Sequence, residues 1–128
     1  MVDKIFDRSE SVYVKHVPLK GRGVFANIHF KAGDLIERAP TWGFDDEAAN
    51  LFMRTGLLEY YFVRDDLRQK ADLMAGYVVF GFASMVNHSL NPNAQTNWAD
   101  GDAGAWVSIV AIKDIMVGEE ITHRYRNI

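Results

Sequence analysis

The sequence predicts a single, mainly β domain built from several small sheets. Short runs of β-branched and aromatic residues recur along the chain, glycine-containing turns separate them, and one acidic segment begins a helix. The length of 128 residues suffices for one core, and a composition of 48% hydrophobic and 24% charged residues is ordinary for a globular protein. We therefore expect one domain over residues 1–128.

The first half is predicted to contain three strands and a short helix. Strands are expected at 11–17, 24–28 and 35–38, with turns at 20–23 and 31–34 between them. Asp45, Asp46 and Glu47 are acidic residues of the kind found at a helix N-terminus, and Gly56 is expected to close this helix.

The second half returns to strands. Residues 57–63 are ambiguous between strand and helix, because a short apolar run has no distinguishing periodicity. Next we expect a charged loop at 65–70, a buried strand at 76–82, a tight turn or short helix at 83–86, a hairpin of 94–98 with 105–112, and a last strand at 121–125.

Composition excludes several classes of function. The net charge of −3 offers no general attraction for nucleic acid, and the absence of cysteine removes disulfides and thiolate zinc sites. No stretch approaches 18 apolar residues, and the N-terminus lacks the apolar core of a signal peptide. We expect a soluble, intracellular protein that binds neither membrane nor nucleic acid directly.

Three short blocks carry the functional signal. They are Gly-Arg-Gly-Val-Phe-Ala at 21–26, Asn-His-Ser-Leu-Asn-Pro-Asn at 87–93, and Gly-Glu-Glu-Ile-Thr-His-Arg-Tyr at 118–125. Taken singly, each fits a bland interpretation: a hairpin turn, a turn asparagine beside a core histidine, and an amphipathic tyrosine at a strand end. Residue chemistry alone leaves these alternatives open.

Together and in this order, the blocks resemble the SET-domain protein-lysine methyltransferases, over about residues 11–125. The resemblance is to a minimal stand-alone form of the viral or bacterial kind, without the flanking pre-SET and post-SET zinc clusters. It implies the β-clip SET fold: several small sheets around a C-terminal pseudoknot, with a short helical insertion near residues 45–62. Many members have cysteine where this chain has Leu90, which agrees with the expected absence of a metal.

The resemblance also implies roles for particular residues. The backbone of Lys20, Gly21, Arg22 and Gly23 would lie at the S-adenosylmethionine pocket, with Asn87 at the methionine part of the cofactor and His88 at the adenine part. Tyr125 would be the catalytic residue, at the point where the lysine channel meets the sulfonium. Tyr60, with Tyr61 as the alternative, and His123 would line that substrate channel.

The implied reaction is direct, in-line methyl transfer to a lysine ε-amine of a protein, a histone if the source has chromatin, with S-adenosylhomocysteine as product. A free lysine is only about 0.1% neutral at physiological pH, a cost of roughly 4 kcal/mol. A narrow apolar channel lowers this cost by disfavouring the ammonium. We expect a cytoplasmic enzyme, or a nuclear one in a eukaryotic setting.

Family members cover the adenine with a segment that follows the tyrosine, whereas this sequence ends soon after Tyr125. A loop around Trp42 or Trp98, or a second subunit, would then cover the cofactor, and we expect a homodimer. One alternative function is a non-catalytic SET-like module that binds a protein or peptide. A metal protein using His16, His29, His88 and His123 is a weaker alternative, because these histidines lack close ligand spacing.

Overall fold

The computed structural model describes residues 10–55, 61–64 and 74–124. Nine strands and one α-helix occur in these ranges: β1 (Val12–Val17), β2 (Gly21–Ala26), β3 (Leu35–Phe44), α1 (Asp46–Phe52), β4 (Tyr61–Phe62), β5 (Gly76–Val79), β6 (Asn87–His88), β7 (Ala94–Gly101), β8 (Gly104–Ala111) and β9 (Glu120–His123). A short 3-10 helix, Phe82–Met85, lies between β5 and β6. The predicted mainly β class is confirmed.

The strands form two sheets whose order departs from chain order. One sheet has the order β1-β2-β9-β6 and the other β4-β5-β3-β8-β7. Most neighbouring strands are antiparallel, but β6 and β9 pair in parallel. The last strand therefore lies between the N-terminal hairpin and the segment that begins at Asn87, an arrangement that the predicted C-terminal pseudoknot requires.

Several strand predictions were wrong in their bounds. The strand expected at 24–28 is Gly21–Ala26, so most of the turn expected at 20–23 belongs to β2, and the last strand, expected at 121–125, is Glu120–His123.

The strand expected at 35–38 continues to Phe44, because its first half pairs with β8 and its second half with β5. Pro40 is tolerated inside it, and its carbonyl accepts a hydrogen bond from the Phe80 amide at 3.0 Å. The strand expected at 76–82 ends at Val79, and Gly81 then takes a positive φ of 113° that ends the extended backbone.

The hairpin and the start of the helix occur where they were predicted, although β7 continues beyond 98 to Gly101. Strands β7 and β8 pair from Ala94 with Ala111 to Gly101 with Gly104, which leaves a two-residue turn. Helix α1 begins after Asp45, whose side chain accepts a hydrogen bond from the Ala48 amide at 3.0 Å. It ends at Phe52, ahead of Gly56, which lies outside the described residues together with 57–60 and the predicted loop at 65–70.

Two turns far apart in the chain have the same hydrogen bonds, although the sequence shows no internal repeat. Lys31–Asp34 and Met116–Glu119 each place a glycine at positive φ in third position, and in each the fourth residue's carboxylate accepts from the first residue's amide at 2.8 Å. Phe30 and Ile115, which precede the turns, bond to each other through both backbone groups. This bridge, together with the hydrogen bond that the Gly118 amide donates to the Ala26 carbonyl at 2.9 Å, places the start of β9 beside the end of β2.

The core lies where the two sheets meet. Strand β8 alternates between buried and less buried positions, as expected for a strand with one face inward. The largest fully buried side chains are Phe30, Ile109, Ile115, Ile121, Val24 and Val107. Residues from both sheets and the two residues that precede the paired turns thus share one hydrophobic cluster.

No helix among the described residues combines the length and the apolar character that crossing a membrane requires.

Candidate functional site

The three sequence blocks meet around β9. Val24 of β2 pairs with Ile121, and on the other side Asn87 and His88 pair in parallel with Thr122 and His123. The Ser89 amide continues this ladder by donating to the His123 carbonyl at 2.9 Å. Blocks separated by tens of residues in the chain are therefore adjacent strands of one small sheet.

Asn93 fastens the second block to the third. Its side-chain amide donates to the Glu120 carbonyl at 2.8 Å, and its Oδ1 accepts from the Thr122 amide at 2.9 Å. One side chain thus makes the donor and acceptor contacts that a neighbouring strand would make. The position of β9 depends on this contact as well as on strand pairing.

Asn87 connects all three blocks through one atom. Its Nδ2 donates to the Arg22 carbonyl at 2.9 Å and to Glu120 Oε2 at 2.8 Å. Gly23 makes this approach possible: a Cβ there would lie 2.6 Å from Glu120 Oε2 and 3.0 Å from Asn87 Nδ2. The predicted cofactor residues Arg22, Gly23 and Asn87 are therefore in direct contact, and a side chain at 23 would displace the Glu120 carboxylate.

Lys20 and Gly21 lie at the exposed turn that leads into this contact. The Lys20 amide donates to the Val17 carbonyl at 3.1 Å, and both Leu19 and Gly21 take positive φ, 69° and 86°. No atom lies within 4 Å of where a Gly21 Cβ would be, so glycine is favoured there by backbone conformation.

His123 is buried, with only 4% of its surface exposed. Its Nδ1 lies 2.7 Å from Thr96 Oγ1, and the Val86 backbone also hydrogen-bonds the ring. Burial is the main reason that its pKa falls to about 4, and the neighbouring His88 lowers it further. At neutral pH the imidazole is therefore uncharged. The partly exposed His88 lies beside it by strand pairing.

An aromatic cluster packs against His123 through Phe62. The Phe62 ring stacks on it at 5.9 Å, and Phe62 in turn packs edge-on against Trp98 at 6.3 Å. Tyr77 and the buried Arg64 also contact Trp98, and Arg64 pairs with Asp100 at 2.7 Å. Trp98 is therefore held inside this cluster, whereas Trp42 remains 54% exposed.

The predicted channel and catalytic residues are only partly described. The Tyr61 backbone pairs with Val78, while Tyr60 and Tyr125 lie outside the described residues. The roles of Tyr60, Tyr61, His123 and Tyr125 stay predictions. Sequence reasoning did not single out Phe62, although it adjoins Tyr60 and Tyr61, which were considered for the channel.

A family model for the SET domain matches residues 21–126. The chain belongs to the SET-domain family. No curated protein sequence is similar enough to this SET domain to count as a relative.

Solved structures agree with this fold. A candidate histone methyltransferase of Plasmodium falciparum matches with a TM-score of 0.72 at 22% identity, over 94% of this chain and 97% of that one. The Neurospora SET-domain protein DIM-5, a histone lysine methyltransferase, matches with a TM-score of 0.72 at 23% identity, over 94% of this chain and 54% of its own. A chain of a humanized Chaetomium thermophilum Polycomb Repressive Complex 2 matches with a TM-score of 0.69 at 20% identity, over 94% of this chain and 15% of that one. The SET domain thus spans about half of DIM-5 and a small part of the Polycomb chain.

One further buried acid supports the site of this SET domain. Glu37 of β3 accepts a hydrogen bond from the Phe82 amide at 2.9 Å and another from the Ala83 amide, at the start of the 3-10 helix that leads to Asn87. Burial raises its pKa to about 7, and the two amide bonds partly oppose that rise. A Cβ on Gly81 would lie 2.3 Å from Glu37 Oε1, so this contact also depends on a glycine. Sequence reasoning placed Glu37 in a strand and gave it no role.

Among the described residues, no group of three histidine, aspartate or glutamate side chains is arranged to hold a metal ion.

Proposed function

We propose that this SET domain transfers a methyl group from S-adenosylmethionine to the ε-amine of a lysine in a protein substrate. The observation that carries the proposal is the contact of Arg22, Gly23 and Asn87 around Glu120, which joins the three blocks that resemble the family. Two of the similar structures are described as a candidate histone methyltransferase and a histone lysine methyltransferase, which supports a histone or another basic protein as substrate. The net charge of −3 is compatible with such a partner.

The residues present fit the cofactor. Gly21 leaves backbone unobstructed, with no atom within 4 Å of where its Cβ would lie, and Asn87 keeps a side-chain oxygen that no described residue uses. S-adenosylmethionine would supply the electrophilic methyl group on a sulfonium. The backbone of Lys20, Gly21, Arg22 and Gly23, together with Asn87 and His88, would hold it, and in our proposal these residues bind and orient rather than react.

The remaining residues would prepare the lysine. In our proposal Tyr125 orients the amine, and Tyr60 or Tyr61 with His123 lines its channel. The low pKa of His123 supports this assignment, because an uncharged ring adds no positive charge beside an incoming lysine. Alignment of the amine would then provide most of the acceleration.

We also propose that the protein acts as a homodimer, in which the second subunit helps to cover the cofactor. Trp42 and Trp98 are the two tryptophans expected to help cover the cofactor. Trp42 is the more available of the two, because its ring is exposed whereas that of Trp98 packs against Phe62. Light scattering at assay concentration checks this expectation. A fully active monomer would contradict it. The intracellular location stays a prediction, which cell fractionation can check.

Calorimetric titration of S-adenosylmethionine into the wild type, Asn87→Ala and Asn97→Ala tests the proposed cofactor site. Asn97 is an exposed asparagine on β7 and controls for the loss of an amide elsewhere. We expect saturable micromolar binding, about 8 kcal/mol, by the wild type and Asn97→Ala, and a strong loss in Asn87→Ala. Transfer of labelled methyl to histone peptides should follow binding. A folded wild type that does not bind would instead favour a non-catalytic, peptide-binding SET-like module.

A further inference from the structure

The partners of Asn87 determine which way its amide points. Nδ2 has two protons, and its two partners are the Arg22 carbonyl and the Glu120 carboxylate. Both partners can only accept hydrogen bonds. An amide turned by 180° would place Oδ1 against two acceptors, so the orientation follows from chemistry and not from the near-identical shapes of oxygen and nitrogen.

This arrangement leaves only the side-chain oxygen of Asn87 available to a ligand. Both amide protons are in use, and Oδ1 accepts no hydrogen bond from any described residue. The Asn87 residue is itself only partly buried. Asn87 can therefore offer an acceptor to a ligand but no donor.

We propose that Glu120 is a positioning residue that fixes the Asn87 amide with its oxygen toward the cofactor, so that the site selects a ligand with an amino group at that point. The inference rests on the proposed function and adds to it a preference for ligands that have an amino group at this point. The methionine end of the cofactor has an ammonium and a carboxylate. An acceptor-only Asn87 binds the ammonium, and other groups must bind the carboxylate.

Glu120 is held firmly enough for this task. Its backbone pairs with Phe25 of β2, and its carbonyl accepts from the Asn93 side chain at 2.8 Å. The missing Cβ of Gly23 provides the space that its carboxylate occupies. The Arg22 carbonyl alone would leave one amide proton unbonded, and the terminal torsion of asparagine is broad. The Glu120 carboxylate is the second acceptor, and with it one of the two orientations of the Asn87 amide is strongly favoured over the other.

The test compares two ligands on matched variants. The ligands are S-adenosylhomocysteine and its analogue lacking the α-amino group, each titrated by calorimetry. Glu120→Gln keeps an acceptor oxygen at the same reach without the charge, whereas Glu120→Asp keeps the charge and shortens the reach. Glu119→Gln and Glu119→Asp are controls, because the Glu119 carboxylate bonds the Met116 amide of its own turn. Thermal unfolding establishes that each variant is folded.

We expect the wild type, both Glu119 variants and Glu120→Gln to prefer S-adenosylhomocysteine over the deaminated analogue by about tenfold or more. Glu120→Asp should reduce this preference to about threefold or less, through a weaker affinity for S-adenosylhomocysteine and an unchanged affinity for the analogue. The ratio of the two affinities distinguishes a positioning role from a general structural role, because the loss of a structural role would weaken the binding of both ligands together.

Three results would overturn the inference and leave the proposed function standing. Equal affinity of the wild type for the two ligands would show that Asn87 does not select an amino group. A preference kept by Glu120→Asp and lost by Glu120→Gln would assign the effect to charge and not to orientation. Parallel losses for both ligands in Glu120→Asp would make Glu120 merely structural. Failure of the folded wild type to bind either ligand is a distinct outcome, which overturns the proposed function and the inference with it.

Discussion

Residue chemistry in this site depends on neighbours that are distant in the chain. An isolated asparagine offers two donors and an acceptor, and from sequence Asn87 could contact both ends of a cofactor's methionine part. In the structure, Arg22 and Glu120 take both donors. An isolated histidine titrates near neutrality, whereas burial lowers the pKa of His123 to about 4. The residue types could be read from the sequence, whereas the hydrogen-bonding groups left available on Asn87 and the charge of His123 could not.

Replacing Tyr125 by phenylalanine tests the predicted catalytic residue. The change removes one hydroxyl and keeps the ring, so we expect cofactor affinity and folding to remain and turnover to fall at least tenfold, about 1.4 kcal/mol of barrier. Turnover is measured with a lysine peptide at saturating cofactor. Tyr13→Phe, on the outer hairpin strand β1, is a matched control that should leave turnover unchanged. Equal turnover in the two variants would remove Tyr125 from the mechanism.

At the scale of elements, β9 is the strand that organises the site. It has only four residues, Glu120–His123, yet it contacts β2 on one side and β6 on the other. The turn Met116–Glu119 delivers it, with a bridge between Phe30 and Ile115 just before. Such a short strand gains few backbone hydrogen bonds of its own, so side-chain contacts such as those of Asn93 add to its stability.

Asn93→Ala should loosen β9. It removes two hydrogen bonds and leaves the Glu120 carbonyl and the Thr122 amide without their partner, so we expect a loss of about 1–3 kcal/mol in the free energy of unfolding. Urea denaturation measures this loss. Asn91→Ala is the control, because that side chain is exposed and, among the residues that the structure describes, makes only a long 3.5 Å contact with Lys113. Similar stability of the two variants would show that strand pairing alone holds β9.

At the scale of the whole molecule, two buried titratable groups act on stability in opposite directions. Glu37 has a pKa of about 7 in the folded protein against 4.5 as its ordinary value. Between these values the folded chain retains a proton that the unfolded chain releases, so stability falls as pH rises. His123 is lowered from 6.5 to about 4, so in its window stability falls as pH drops. The windows overlap, and the two effects oppose each other between about pH 4.5 and 6.5.

Glu37→Gln removes one of these effects. Relative to wild type, the variant should gain stability as pH rises from 4.5 to 7, by up to about 1.4 kcal/mol per pH unit, and the difference should level off above pH 7. The variant alone should then show the acid sensitivity due to His123. Chemical denaturation at a series of pH values measures both curves. Glu47→Gln, at an exposed position in the first turn of α1, should follow the wild type. A difference that does not change with pH would mean that Glu37 does not hold its proton in this window.

The sequence by itself determined the fold class, the hairpin of β7 and β8, the helix that begins after Asp45, and the family to which the chain belongs. These features depend on local signals: β-branched runs, glycine turns, a capping aspartate and three motif blocks. Tertiary structure decided the length of β3, because its two halves pair with different strands. It also decided the orientation of the Asn87 amide, the neutrality of His123 and the raised pKa of Glu37. Each of these depends on burial or on a partner brought close only by folding. Neither burial nor such a partner can be recognised from the local spacing of residues in the sequence.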